Sequence, residues 1–425
     1  MDQRQPELRA ERCCADHRQS GQQPEPFSDT RRYRDGSQTA ANGNLTLNAN
    51  AGDLNLSVAT TSAQGAIQAS AAGALINDHG SLSSGGGTTL SGGSFSNQGG
   101  KVSAQGPLKV QSSGQIANQA GQLVSENSME VHGGAIANNQ GTVQSAGGMT
   151  VAGASLDNTA GRITSLNGDG LSVTTSGQLT NAAGAAANGT HGGVIGGNGD
   201  VSVRGTNIVN RGAITSNTNL RVSGQSVDNG GGTLQAAQKV AVDAGARLTN
   251  NGGSIVGQTA ALTGTTLDNS AGVVQANQVS LNAAGLVNHG GTITQTGAGA
   301  MSVNVSGTLD NSNGGTLQTN STDLTLAPTT LDNDGGTITH AGNGTLTLGG
   351  GTGSVSNVGG SIASNGRVAA QTGTLNNTSG SINAQNGLAA TVGGTLNNAN
   401  GKLLSNTDLS VASGTRRRCI RRIRR

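Results

Sequence analysis

Leu156-Asp157-Asn158-Thr159-Ala160-Gly161-Arg162-Ile163 is the stretch that decides how this chain is read. Its form is apolar, any residue, Asn, two residues, Gly, any residue, apolar. Related copies occupy Leu75-Ile76-Asn77-Asp78-His79-Gly80-Ser81-Leu82 and the runs from Ile116 to Leu123 and from Ile136 to Val143. The marker asparagine recurs at Asn77, Asn97, Asn118, Asn138, Asn158, Asn181, Asn210, Asn229, Asn250, Asn269, Asn288, Asn311, Asn333, Asn357, Asn377 and Asn398. The mean spacing is about 21 residues, a period that selects a solenoid over a globule.

Between markers lies a second apolar patch with strand alternation: Met149-Thr150-Val151, Leu171-Ser172-Val173, Val201-Ser202-Val203, Leu220-Arg221-Val222 and Leu346-Thr347-Leu348. A period of two describes strands with one face buried. Gly and Asn clusters supply the bends, and no helical period persists. One such unit cannot bury its own apolar face, whereas stacked units pair each strand with its equivalents above and below. The expected fold is all-β, a parallel β-helix of about 16–18 coils and roughly 80–85 Å.

Strand alternation places Leu156 and Asn158 inside and Asp157 outside. The marker Asn then has two readings. An inward amide ladder along the rod is one; an Asx-turn that merely ends each strand is the other. The marker glycines Gly80, Gly100, Gly121, Gly141 and Gly161 are expected to supply the φ > 0 bend.

Composition agrees with a thin core. Among 425 residues there are 72 Gly, no Trp, one Tyr (Tyr33) and two Phe (Phe27 and Phe95), and charged residues make up only 11%. A disordered low-complexity linker has similar composition, but lacks regular Leu, Ile and Val. The net charge of +2 conceals three segments. Residues 1–42 carry no repeat and read as a disordered or non-native segment, residues 43–412 hold the repeats, and residues 413–425 end in an Arg-rich tail. That tail admits a basic patch for anionic lipid or nucleic acid; its abrupt interruption of a coil favours out-of-frame translation, and no nucleic-acid partner is expected. Cys13, Cys14 and Cys419 lie outside the repeats, so the body has no disulfide or thiolate metal site.

These phased L-D-N-x-x-G-x-I copies with intervening L-x-V patches resemble the haemagglutinin repeats of filamentous haemagglutinins and CdiA-type contact-dependent growth-inhibition proteins. The resemblance implies a right-handed parallel β-helix (solenoid) in a secreted or cell-surface filament, exported by an outer-membrane two-partner-secretion transporter, that holds an adhesive or toxic tip toward a host or neighbouring bacterial cell. No apolar secretory signal, secretion domain with Asn-Pro-Asn motifs or toxin region is read in this sequence, so a fragment of a longer gene is expected. Uncapped coils would invite end-to-end self-association.

A β-helix can also carry a polysaccharide-active enzyme, which requires clustered carboxylates. Asp310, Asp332 and Asp334 are the best candidates, the first two at equivalent places in consecutive coils. Asp157, Asp228 and Asp268 hold the same place in coils that are not neighbours, and no Arg or aromatic lies close in the motif, as suits a solvated outer position. Gly196-Gly197-Asn198-Gly199-Asp200 mimics a single calcium-binding nonapeptide, but such sites need consecutive turns. His17, His79, His132, His191, His289 and His340 show no metal spacing. No catalytic residue, metal or cofactor is therefore assigned. Phe95 reads as core filling, and the 29-residue gap from Asn181 to Asn210 as a loop on one face.

Overall fold

The computed structural model describes residues 37–186 and 189–416. Tyr33, Phe27, His17, the three cysteines and most of the Arg-rich tail lie outside the described residues. The rest is a parallel β-solenoid of about eighteen turns without a helix.

Each coil has three faces. In one regular coil, Lys101–Ala104 lies on face 1, Leu108–Ser112 on face 2 and Ile116–Ala117 on face 3. Each strand pairs in parallel with its equivalents one coil below and one above: Lys101 with Ser81 and Gln122, Leu108 with Thr88 and Met129, Ile116 with Phe95 and Ile136. The alternation comes from the pleat. Val102, Leu108, Val110 and Ile116 are buried, while Lys101 and Gln111 face water. In-register pairing superimposes like on like, so the core is a set of columns. One runs Leu75, Phe95, Ile116, Ile136, Leu156. Phe95 stands inside it with 2% of its surface exposed.

The coils extend slightly beyond the repeat limits expected from sequence. The first strand, Gln38–Ala41, begins within the segment assigned to 1–42 and pairs with Thr60–Ala63. The last, Leu409–Arg416, runs past Ala412. Alternation at these ends is carried by Ala, Ser and Thr and gives little apolar signal. In the middle of the rod the corners straighten, and Ser254–Asp268 is one continuous strand contributing to all three faces.

The insertion between Asn181 and Asn210 leaves the rod as a hairpin. Gly184–Ala186 pairs antiparallel with Gly189–His191. Beneath it, Asn181 Nδ2 still donates to Gly193 O at 3.1 Å, where other coils bond across a much shorter turn.

Candidate functional site

The marker asparagines form the corner between faces 3 and 1. At Asn158 the chain reverses through a β-turn closed by the Gly161 amide donating to Asn158 O at 3.1 Å. The left-handed residue is Ala160, with φ of 53°. His79, Ala120 and Gln140 do the same at 54°, 52° and 57°, and Gly99 at 60°. The φ > 0 position expected at Gly80, Gly100, Gly121, Gly141 and Gly161 therefore falls one residue earlier.

The marker glycines answer a different need, room for the coil below. A Cβ on Gly141 would lie 2.5 Å from Asn138 Oδ1 and 2.9 Å from Asn118 Nδ2, with the Asn118 carbonyl closer still. Gly161 meets the equivalent Asn158 and Asn138 atoms. No side chain fits there without forcing the coils apart.

That space is taken by an amide column. Nδ2 of each marker Asn donates to Oδ1 of the next, through every position from Asn77 to Asn398, at 2.6–2.8 Å. The second N–H points between two carbonyls; for Asn138 these are Gly141 O at 3.2 Å and Arg162 O at 3.3 Å. All the marker asparagines except Asn398 are buried. Satisfying both ends of a buried amide removes the penalty of its desolvation.

The column stops at Leu56, which stands one coil below Asn77. The Asn77 amide donates to Asn97, but its Oδ1 has no hydrogen-bond partner. The same corner replaces the marker Gly with Ala59 and puts Val58 in the left-handed position at 58°. The sequence reading missed this end because Leu54-Asn55-Leu56 presents an Asn shifted by one place.

The outward residue before the marker forms a column of carboxylates. Asp310 pairs in register with Asp332, and Asp332 with Ser356. The motif itself offers no aromatic or Arg, and the partners come from neighbouring coils. His289 Nε2 lies 2.7 Å from Asp310 Oδ2, Arg211 Nη1 donates to Asp228 Oδ1 at 2.8 Å, and Arg247 Nη2 to Asp268 Oδ2 at 3.0 Å. Asp157 accepts from Thr159 and Asn139. Burial pulls the Asp310 carboxyl upward, yet the hydrogen bonds from Ser312 and His289 outweigh it and hold it below the usual range. Asp332 is raised, first by burial and then by the Asp334 and Asp310 charges.

Raised and lowered carboxylates side by side are what acid-base chemistry uses, but here their oxygens are engaged in local structure. Asp310 Oδ1 accepts the Ser312 amide and Asp332 Oδ1 the Asp334 amide, while Asp334 Oδ1 accepts Ser356 Oγ and the Val358 amide. The first two are turn-capping bonds, and those to Asp334 tie its coil to the next. The open grooves lie on face 2, away from this column. Among the described residues no group of three His, Cys, Asp or Glu could hold a metal ion. Asp200, in the calcium-like stretch, instead accepts Thr218 Oγ1 at 2.6 Å and Asn219 Nδ2 at 2.9 Å.

A second inward column fills the corner between faces 1 and 2, with Ala104, Ser125, Ser145 and Ser165 in register. The serines bond corner carbonyls, as Ser145 Oγ does to Gly147 O at 2.6 Å. In three consecutive coils the occupants are larger: Gln295, Thr319 and His340, each buried.

The haemagglutinin-repeat pattern matches residues 40–120, 103–183, 194–252, 255–313 and 341–418. The tRNA nuclease CdiA-2 of Burkholderia pseudomallei (strain 1026b) is 57% identical over 350 residues, covering 82% of this chain and 11% of that relative. The chain thus spans only a small part of that protein's length. No solved structure matches. With repeat matches over most of its length and a parallel solenoid that stacks them in register, the chain belongs to the haemagglutinin-repeat family, and its repeats are of the CdiA type.

Proposed function

We propose that these coils are a stalk segment of a secreted, surface-exposed filament, which carries an adhesive or toxic tip away from the producing cell. The observation that carries this reading is the amide column, continuous from Asn77 to Asn398. It commits one residue per coil to axial stacking, and at about 4.8 Å per coil the whole rod measures roughly 80 Å. The outer carboxylates are spent on turn caps and ion pairs, leaving reach as the property that this part provides. The name of the CdiA-2 relative, a tRNA nuclease, favours a toxic tip over a purely adhesive one.

In this reading the partners are an outer-membrane two-partner-secretion transporter and, through other regions, a host or neighbouring bacterial surface. The marker Asn and Gly residues act structurally, and no residue of the coils is catalytic.

The test is excision of whole coils, for example residues 101–161, from the full-length exoprotein that carries them. Filaments seen by electron microscopy should shorten by about 14 Å for three coils, with export retained and tip activity falling only through reach. Point substitutions of Asp310, Asp332 and Asp334 should leave that activity unchanged. Loss of activity in those point variants, with filament length preserved, would sink the stalk reading in favour of a polysaccharide-active site.

A further inference from the structure

Face 2 is interrupted at one place. Ser302–Val305 pairs below with Ser280–Ala283, and Leu324–Leu326 pairs above with Leu346–Leu348, but no ladder joins Ser302–Val305 to Leu324–Leu326. Faces 1 and 3 are continuous across the same two coils. Thr292 stacks on Thr316 and Thr337, and Leu286 on Leu309 and Leu331.

The cause lies in the corner between faces 1 and 2. Elsewhere, Thr319 apart, this corner is held by Ser, Ala or Gly. Gln295 instead reaches down a coil, its Oε1 accepting the Val279 amide at 2.8 Å while Nε2 donates to Gly297 O and Gly299 O. In regular coils the equivalent amide finds a backbone carbonyl above, as Leu108 does at Ser128 O and Val201 at Asn219 O. Two coils up, the His340 ring fills the same corner, with Nε2 3.0 Å from both Ser321 O and Thr322 O and Nδ1 2.8 Å from Ser364 Oγ. Gln295 thus holds the loop that leads into Ser302–Val305, and His340 the loop that leads into Leu324–Leu326, so the two strands at the seam are anchored in different directions. An open groove of about 990 Å³ runs along face 2 from Asp243–Gly245 up to Ser302–Ser306, Thr325 and Ala327, so water reaches the interrupted edge at its upper end. Inner residues of the lower strand are less well covered: Val303 is 8% exposed, against 0% for Val203 and Val222 in regular coils, while Leu324 and Leu326 across the seam stay buried.

We propose that this seam is a hinge built into the rod. Face 2 opens between Ser302–Val305 and Leu324–Leu326 while faces 1 and 3 hold, so the rod bends away from face 2 at one defined place. An unpaired strand edge beside water belongs to the least stable part of a fold. The asparagine column passes through both coils, Asn311 to Asn333 at 2.8 Å, and keeps the hinge from parting. The inference is independent of what the filament carries.

The test is hydrogen–deuterium exchange on the 425-residue chain. Peptides covering 301–306 and 323–327 should exchange about tenfold or more faster than face-2 peptides covering 201–204 and 220–223. The double variant Gln295→Ser, His340→Ser restores small residues to the corner and should remove most of that difference. Equal protection of the seam and the regular strands in the unmodified chain overturns the proposal, whether or not the variant folds. So does a variant that folds and leaves the seam as fast as before.

Discussion

The two inward polar corners of the coil obey different rules. At the asparagine corner, from Asn77 to Asn398, the same side chain stands in sixteen coils and no other residue takes its place within that span. At the other corner Ser, Ala, Gly, Gln, Thr and His all occur. The difference follows from what each side chain bonds. A marker Asn bonds its own copies, so a change in one coil strands a donor below it and an acceptor above it. A corner serine bonds a backbone carbonyl, in its own coil as Ser145 does or in the coil below as Ser165 does, and that carbonyl is there whatever the neighbouring corner residue is, so a replacement does not break a chain of like side chains. Regularity is enforced where the repeat is its own partner, and irregular features such as the seam appear where it is not.

The largest expected effect therefore comes from breaking the column in mid-rod. Asn229→Ala leaves one of the two N–H groups of Asn210 Nδ2, and Asn250 Oδ1, without the partner each had, and should cost about 3 kcal/mol in urea unfolding followed by circular dichroism. Ser145→Ala, at the other corner, should cost about 1 kcal/mol or less, since Ala104 already occupies the equivalent place. Comparable losses for the two variants would erase the distinction drawn here.

A second pair separates the roles within the asparagine corner. Gly141→Ala should destabilise by about 2 kcal/mol through collision with the Asn118 and Asn138 atoms. Gln140→Gly, one residue earlier, should be neutral or stabilising by up to about 1 kcal/mol, because it relieves a left-handed residue at 57°. Opposite signs for adjacent positions are the outcome to look for in thermal melts.

The smallest effect concerns pH. Asp332 has a raised pKa in the fold, so its contribution is fully present below the unfolded carboxylate value and is lost as pH rises through the folded one. Asp310 has a lowered one, and its contribution is present above the unfolded value and lost as pH falls through the folded one. Asp332→Asn should thus stabilise the rod slightly at neutral pH, with the gain vanishing by about pH 3. His289→Ala should weaken it at neutral pH, since Asp310 loses a partner. Melting curves at the two pH values distinguish these from a plain surface effect.

Much of this was legible in the chain. The L-x-N-x-x-G-x-apolar spacing contains the coil length, the inward placing of Leu156 and Asn158 and the outward placing of Asp157, because pleat and turn are local consequences of residue type. The hairpin at Gly184–His191 showed as a long interval between markers. Less legible was the reason for the marker glycines. A Gly in a turn suggests φ > 0, while here it clears the backbone of a residue more than twenty positions earlier. The ion pairs of Asp228, Asp268 and Asp310 were hidden likewise, since Arg211, Arg247 and His289 reach them from neighbouring coils.

By itself the sequence determined that the chain is a stack of similar coils, because a unit of about 21 residues with one apolar side has no other way to bury it. Only the tertiary structure decided where the stack departs from regularity. Leu56 ends the amide column, and Gln295 and His340 part face 2. Each does so through a bond or gap between residues one coil apart, and stacking distance, which no local pattern encodes, sets whether such residues meet.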